Sequence, residues 1–190
     1  MKKVFTLILA ACVILAFSLS VIGAGIAEDG VPEMQESPDA SSESTGMANP
    51  WTDVETADEA AQGAGVGYFL VPEENMDTTG GQVNWFGFQY MTGIAEADGG
   101  IGAAELTVRK GLKQDSEDVS GDYTEYAFAW TQETDDWQVS CFGNEEGRTM
   151  KAIWVSDNFS YSIMIRGQGD FYDTYGVDAE AITALVTAIQ

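Results

Sequence analysis

An α+β domain built on a curved antiparallel sheet of about seven strands, with a short N-terminal helix and a C-terminal helix packed on one face, is what this 190-residue chain predicts. Two observations carry the sheet. Between residues 66 and 166, apolar side chains recur with a period of two in short runs rich in β-branched and aromatic residues. Clusters of Gly, Asn and Asp separate those runs, the pattern of antiparallel strands joined by tight turns. A third observation supplies the helices: two segments of helical period bracket the strands, and the second carries an apolar stripe that a sheet can cover.

The elements follow in chain order. Lys2 and Lys3 precede an apolar run over residues 4–22, broken by Thr6, Ser18 and Ser20, and small residues close it at Gly23, Ala24, Gly25 and Ala27. That is the layout of a secretory signal peptide over residues 1–27, cut after Ala27, with Ala24 as the second choice. The run is also nearly long enough to stay in a bilayer as an N-terminal membrane anchor. Leu9-Ala10-Ala11-Cys12 resembles a lipoprotein cleavage box, but Val13-Ile14-Leu15-Ala16-Phe17 continues the apolar run past it, so Cys12 reads as part of the leader. Residues 28–49 carry six acids, no base, Pro32 and Pro38. Such a segment buries too little apolar surface to offset its ordering entropy and reads as a disordered acidic linker. Residues 50–190 then have the size of one domain.

Within that domain, Thr56 with Glu59 reads as a capping box, opening a short helix through Ala60 and Ala61 that stops at Gly63, Gly65 and Gly67. Thr52 with Glu55 offers a competing start. Strands are expected over residues 66–71, 83–91, 104–110, 123–131, 137–142, 150–155 and 161–166. Asp178 caps a last helix whose Ile182, Leu185, Val186 and Ile189 form one stripe. Alternation assigns Phe86, Phe88, Tyr90, Tyr126, Phe128, Trp130, Trp137, Val139, Cys141, Ile153, Val155, Tyr161, Ile163 and Ile165 to the core. Cys141 falls among them and reads as a buried, inert thiol.

Composition bounds the function. There is no histidine, which removes Ser/His/Asp and Cys/His triads and the commonest zinc ligand together. Loss of residues 1–27 leaves Cys141 as a lone thiol, so there is no disulfide framework. The formal net charge is −23, and becomes −25 when Lys2 and Lys3 leave with the leader. Such a charge repels nucleic acid and anionic headgroups, so the membrane is met only through the N-terminal segment. The expected location is extracytoplasmic, either secreted or tethered to the outer face of the cytoplasmic membrane.

Several strings together resemble a known kind of protein. They are Asn49-Pro50-Trp51-Thr52, Leu106-Thr107-Val108-Arg109-Lys110, Asp118-Val119-Ser120-Gly121-Asp122-Tyr123, Ala152-Ile153-Trp154 and Tyr161-Ser162-Ile163. Over residues 49–190 the chain resembles an uncharacterised family of exported bacterial domains, seen in secreted, lipid-anchored and anti-sigma-factor-like proteins. The resemblance implies fold and location, and no activity. This chain is more acidic than the family's usual members.

Catalysis and metal binding are weak readings. Asp115, Glu117, Asp118 and Asp122 invite a calcium site, but their spacing is not that of a helix–loop–helix loop, and Ser120-Gly121-Asp122 reads as a tight turn. A carboxylate-based, glycosidase-like hydrolase needs two acids facing across a sugar cleft, and no pair stands out from the acidic background. No cofactor motif is present. The stronger expectation is an exported, non-enzymatic binding or sensing module. On that reading Trp85, Phe142, Trp154 and Met164, each out of phase with the core on its own strand, share the sheet's second face. They would hold an apolar small molecule, a peptide or a protein segment. Residues 73–82 and 167–176 are loops long enough to cover that face instead.

Overall fold

A computed structural model describes residues 49–73, 80–113 and 117–190. The leader, its cleavage after Ala27, and the linker up to residue 48 lie outside the described residues. So do residues 74–79 and 114–116, with Asp115 of the acidic cluster among them.

Among the described residues, eight strands form one open antiparallel sheet. In chain order they are β1 (Thr52–Val54), β2 (Gly81–Gln89), β3 (Ile94–Ile101), β4 (Ala104–Leu112), β5 (Phe128–Glu133), β6 (Gln138–Gly143), β7 (Lys151–Ser156) and β8 (Phe159–Gly167). Their order across the sheet is β1-β2-β3-β4-β8-β7-β6-β5, so β8 inserts beside β4 and the sheet ends on β1 and β5. Helix α1 (Ala57–Ala64) follows β1, and α2 (Ala179–Ala188) closes the chain.

Local chemistry sets both helices. The Thr56 hydroxyl accepts from the Glu59 amide at 3.2 Å, and Glu59 reaches back to the Glu55 amide at 2.9 Å, one residue earlier than a standard capping box. Gly65 ends α1 at φ +75°, with its amide donating to Ala61 and Gln62 carbonyls. Gly63 has a different duty: a Cβ there would sit inside the Phe88 ring, so its absence lets α1 lie close on β2. Asp178 caps α2 through the Ala181 amide at 3.0 Å. Ile182, Leu185, Val186 and Ile189 are all buried, as the stripe predicts.

One face of the sheet packs under both helices. Cross-strand register aligns Phe86 with Ala97, Ala97 with Val108, Val108 with Ile163, Ile163 with Ala152 and Ala152 with Cys141. All join the α1 and α2 side chains in one core. At about 25 cal/mol per Å² of apolar surface, this layer is the main favourable term in folding.

The strands depart from expectation in specific places. Residues 66–71 belong to no strand: the chain bends at Gly67, which takes φ +82°, and Leu70 exchanges both backbone hydrogen bonds with Gln190, at 2.9 and 3.1 Å. Strand β3 is not among the expected strands, because Asp98, Gly99 and Gly100 read as a turn. Its Gly99 lies against the Gln82 backbone beside a β-bulge, where any side chain would collide. Tyr90, expected in the core, and Met91, expected to end its strand, belong to the β2–β3 turn and are exposed; Phe128, also expected in the core, lies on the edge strand β5 and is exposed too. Residues 123–127 do not pair, and Tyr126 sits on the face away from the helices.

The phase of β7 is inverted relative to expectation. Ile153 and Val155 face away from the helices, and Trp154 faces them, stacked on Tyr161 at 5.1 Å between ring centroids. Residues 152–155 are all apolar, so their own pattern carries no phase. Lys151 decides it, by turning its ammonium to the opposite face.

The core also holds a lysine. Lys110, 1% exposed, donates to the Tyr68 carbonyl at 2.6 Å and lies 4.5, 4.5 and 5.2 Å from the ring centroids of Tyr68, Phe159 and Tyr161. The rings offer their negative faces to the cation, yet burial still lowers its pKa to about 8.

Candidate functional site

The face of the sheet away from the helices carries the polar side chains and the aromatic residues expected to bind. Three of the four expected residues stand in one row across it. Phe142 lies opposite Lys151, Lys151 opposite Met164, Met164 opposite Thr107, Thr107 opposite Asp98, and Asp98 opposite Trp85. Trp154 is not among them, since it belongs to the helix-side core. Lys151, Thr107 and Asp98 interrupt the row, so Trp85, Phe142 and Met164 do not form a continuous apolar patch. Two of them are instead occupied locally. Trp85 folds over Gly87 and meets Trp51 edge-on at 6.3 Å, and Phe142 packs on Tyr126 at 6.2 Å.

A strap crosses this face, made of residues 117–127 between β4 and β5. Three strand cations hold it. Arg109 on β4 pairs with Glu96 on β3 and donates to the Ser120 carbonyl. Lys151 on β7 reaches Asp118 at 2.7 Å and the Asp122 carbonyl at 2.8 Å. Arg166 on β8 pairs with Asp122 at 2.7 Å. Residues 49–190 contain six bases in all, and half of them serve this loop.

The strap's own sequence supplies the matching acceptors. Asp118 accepts from the Ser120 amide and Asp122 from the Thr124 amide, two consecutive Asx turns that curl the chain toward the sheet. Gly121 takes φ +66°, and a Cβ there would press on the Arg109 guanidinium. Burial works against the Asp122 carboxylate, but hydrogen bonds from Thr124 and Tyr126 and the charge of Arg166 outweigh it and hold its pKa down at about 2. Glu96 moves the other way: its burial outweighs Arg109 and raises its pKa. Of the loops expected to cover the sheet, at residues 73–82 and 167–176, residues 74–79 lie outside the described residues. Among the described residues the strap is held on this face, with the Asp-Val-Ser-Gly-Asp-Tyr string as its anchor.

The strap leaves a groove on either side. One, of about 460 Å³, is lined by Trp51, Met91, Ile94, Leu112, Val119 and Tyr123. Met91 and Tyr123 project from it at 92% and 96% exposure, the two most exposed large apolar side chains among the described residues. Its one cation, Arg109, is already committed to Glu96 and Ser120. The other groove, of about 520 Å³, is lined by Glu117, Asp136, Trp137, Thr131, Ser140 and Ile153. Glu117 is ion-paired to Lys113 at 3.2 Å.

Among the described residues no group of three or more Asp, Glu, Cys or His converges as a metal site, and none of the helices is long and apolar enough to cross a membrane. Cys141 is fully buried, and burial pushes its thiol up to about 11, which suits an inert core position. Sequence reasoning missed the Trp51–Tyr123 groove because its residues come from loops and strand ends, where no periodicity marks them. It also missed the strap, although one signal was present. Arg109, Lys151 and Arg166 fall in the outward phase of three strands in a base-poor chain, beside a loop that offers Asp118 and Asp122.

Compared with protein-family models, with curated proteins and with solved structures, the chain has no match.

Proposed function

We propose that this is an exported, non-enzymatic binding module that receives an apolar or aromatic side chain of a neutral or cationic partner in the groove between Trp51 and Tyr123. The observation that carries the reading is the pair of nearly fully exposed side chains, Met91 and Tyr123, beside a half-buried Trp51. Large apolar groups left in water at the mouth of a concave site mark a contact surface. Charge selects the partner. Residues 49–190 carry 25 acids against six bases, and the groove's own arginine is internally paired, so anionic ligands are repelled.

The test is a titration with a neutral polarity-sensitive dye. Binding by the wild type and its loss in a Met91→Ser/Tyr123→Ser variant of unchanged unfolding midpoint is the expected result; equal binding by both removes the groove from consideration. Export is tested separately. The mature protein recovered from its source is expected to begin at Glu28 and to lie outside the cytoplasm, secreted or held at the outer face of the cytoplasmic membrane. A full-length membrane-retained product would favour the anchor reading.

A second reading rests on Glu117 and Asp136, two carboxylates lining the other groove beside Trp137. That is the elementary outfit of a glycosidase. Hydrolysis of chromogenic glycosides, abolished by Asp136→Asn, would establish it; no turnover above the buffer rate ends it.

A further inference from the structure

The sheet ends differently at its two sides. β1 is three residues long with Asp53 at its centre, a blunted edge. β5 has six residues, Phe-Ala-Trp-Thr-Gln-Glu, with no proline, no lysine and no bulge against β6. Among the described residues β6 is its one hydrogen-bonded neighbour strand. The hairpin closes where the Thr134 amide donates to the Trp137 carbonyl at 2.9 Å. Antiparallel alternation from that bond turns the amides and carbonyls of Ala129, Thr131 and Glu133 outward, toward solvent. Among these groups the Glu133 carbonyl accepts from the exposed Gln132 side chain at 3.4 Å, a contact that an incoming strand can displace. A row of outward donors and acceptors without a strand partner is a template for one more strand.

The surroundings specify what kind. Between residues 125 and 148 there are six acids, Glu125, Glu133, Asp135, Asp136, Glu145 and Glu146, and one base, Arg148. Beside the strand, Phe128, Ala129, Trp130, Gly147 and Glu146 line a notch of about 310 Å³. Phe128 is 42% exposed, on a strand otherwise backed only by β6. Two aromatic walls with a carboxylate at the rim match a lysine or arginine side chain, whose alkyl stem packs on rings while its head meets the acid. A second copy of this chain is a poor occupant, because each brings the same acidic edge to the other.

We propose that β5 binds an extended cationic peptide segment of a partner, which adds a ninth strand to the sheet and seats a lysine or arginine side chain between Phe128 and Trp130 against Glu146. Main-chain bonds to Ala129, Thr131 and Glu133 supply affinity, and the notch with its acidic flank supplies selection. The site is separate from the groove at Trp51 and Tyr123, so either can fail without the other.

The probe is a blocked peptide of alternating lysine and valine matched to β5 in length, compared with its glutamate–valine counterpart by fluorescence anisotropy on the full chain. The lysine peptide is expected to bind, more weakly as salt rises, and the glutamate peptide not to bind. Glu146→Gln should weaken it about tenfold, the loss of one charge-assisted contact. Thr131→Pro removes an outward amide without touching the β6 ladder and should abolish binding. Amide hydrogen exchange on the wild type decides the matter even if that variant does not fold: protection gained at Ala129, Thr131 and Glu133 on adding peptide supports the ninth strand. Absence of binding, equal binding of both peptides, or protection gained elsewhere and not at these three amides overturns it.

Discussion

The Lys151 ammonium holds both ends of the Asp118–Asp122 turn, 2.7 Å from the Asp118 carboxylate and 2.8 Å from the Asp122 carbonyl. One side chain on β7 thus converts a glycine-containing loop into a fixed cover for the sheet. The same ammonium sets the phase of its strand, because a buried cation must face its acceptors. Core packing and strap anchoring are therefore coupled through a single residue.

Lys151→Met should cost about 2 kcal/mol, the scale of hydrogen bonds made by a charged group at a buried position. Its signature is local. Amide exchange across residues 117–127 should accelerate far more than exchange in β4 or β8. Uniform acceleration throughout the domain would mean that the strap is not a separate unit.

Acid should release the strap through Asp122. Its folded pKa of about 2 lies below the unfolded value, so its contribution is complete above about pH 4 and is lost as pH falls toward 2. The expected loss is roughly 2 kcal/mol. Urea midpoints for the wild type and Asp122→Asn should differ at pH 5 and converge near pH 2; a constant difference refutes the linkage.

Lys110 should produce a slope of the same sign at high pH. Its folded pKa of about 8 lies below that of an unfolded lysine, so from pH 8 upward the unfolded chain binds more protons and stability rises. Relative to Lys110→Met, the wild type should gain roughly 1–2 kcal/mol between about pH 8 and 9.5. Tyr161, pushed up to about 12 by burial, stays protonated throughout that window and does not interfere. Parallel stability curves for the two proteins would show that Lys110 is solvated.

Leu185→Ala should cost about 2–5 kcal/mol, because that side chain is fully buried between α2 and the sheet. Thermal or urea unfolding measures it directly. A loss under roughly 0.5 kcal/mol, the scale of exposed positions, would detach α2 from the core.

The sequence alone determined what depends on short-range chemistry. Thr56 and Asp178 announce helix starts because a side-chain oxygen must satisfy a free amide within three residues. The α2 stripe and the alternation around Phe86, Val139 and Ile163 announce burial because their periods are those of a helix and a strand. Only tertiary structure decided the rest. Strand β3 is legible once Gly99 meets the Gln82 backbone, and residues 152–155 carry no phase until Lys151 finds Asp118. Residues 66–71 look like a strand, yet Val66 bonds back to Ala61 and Leu70 pairs with Gln190. The expected binding face failed for the same reason. Period two places Trp85, Phe142 and Met164 on one side of the sheet, but neither the polar residues between them nor the strap above them can be seen without strand order. Groups that act through contacts across more than a hundred residues, such as Leu70 with Gln190, leave no periodic trace, because their spacing is set by the path of the chain and not by the geometry of any one element.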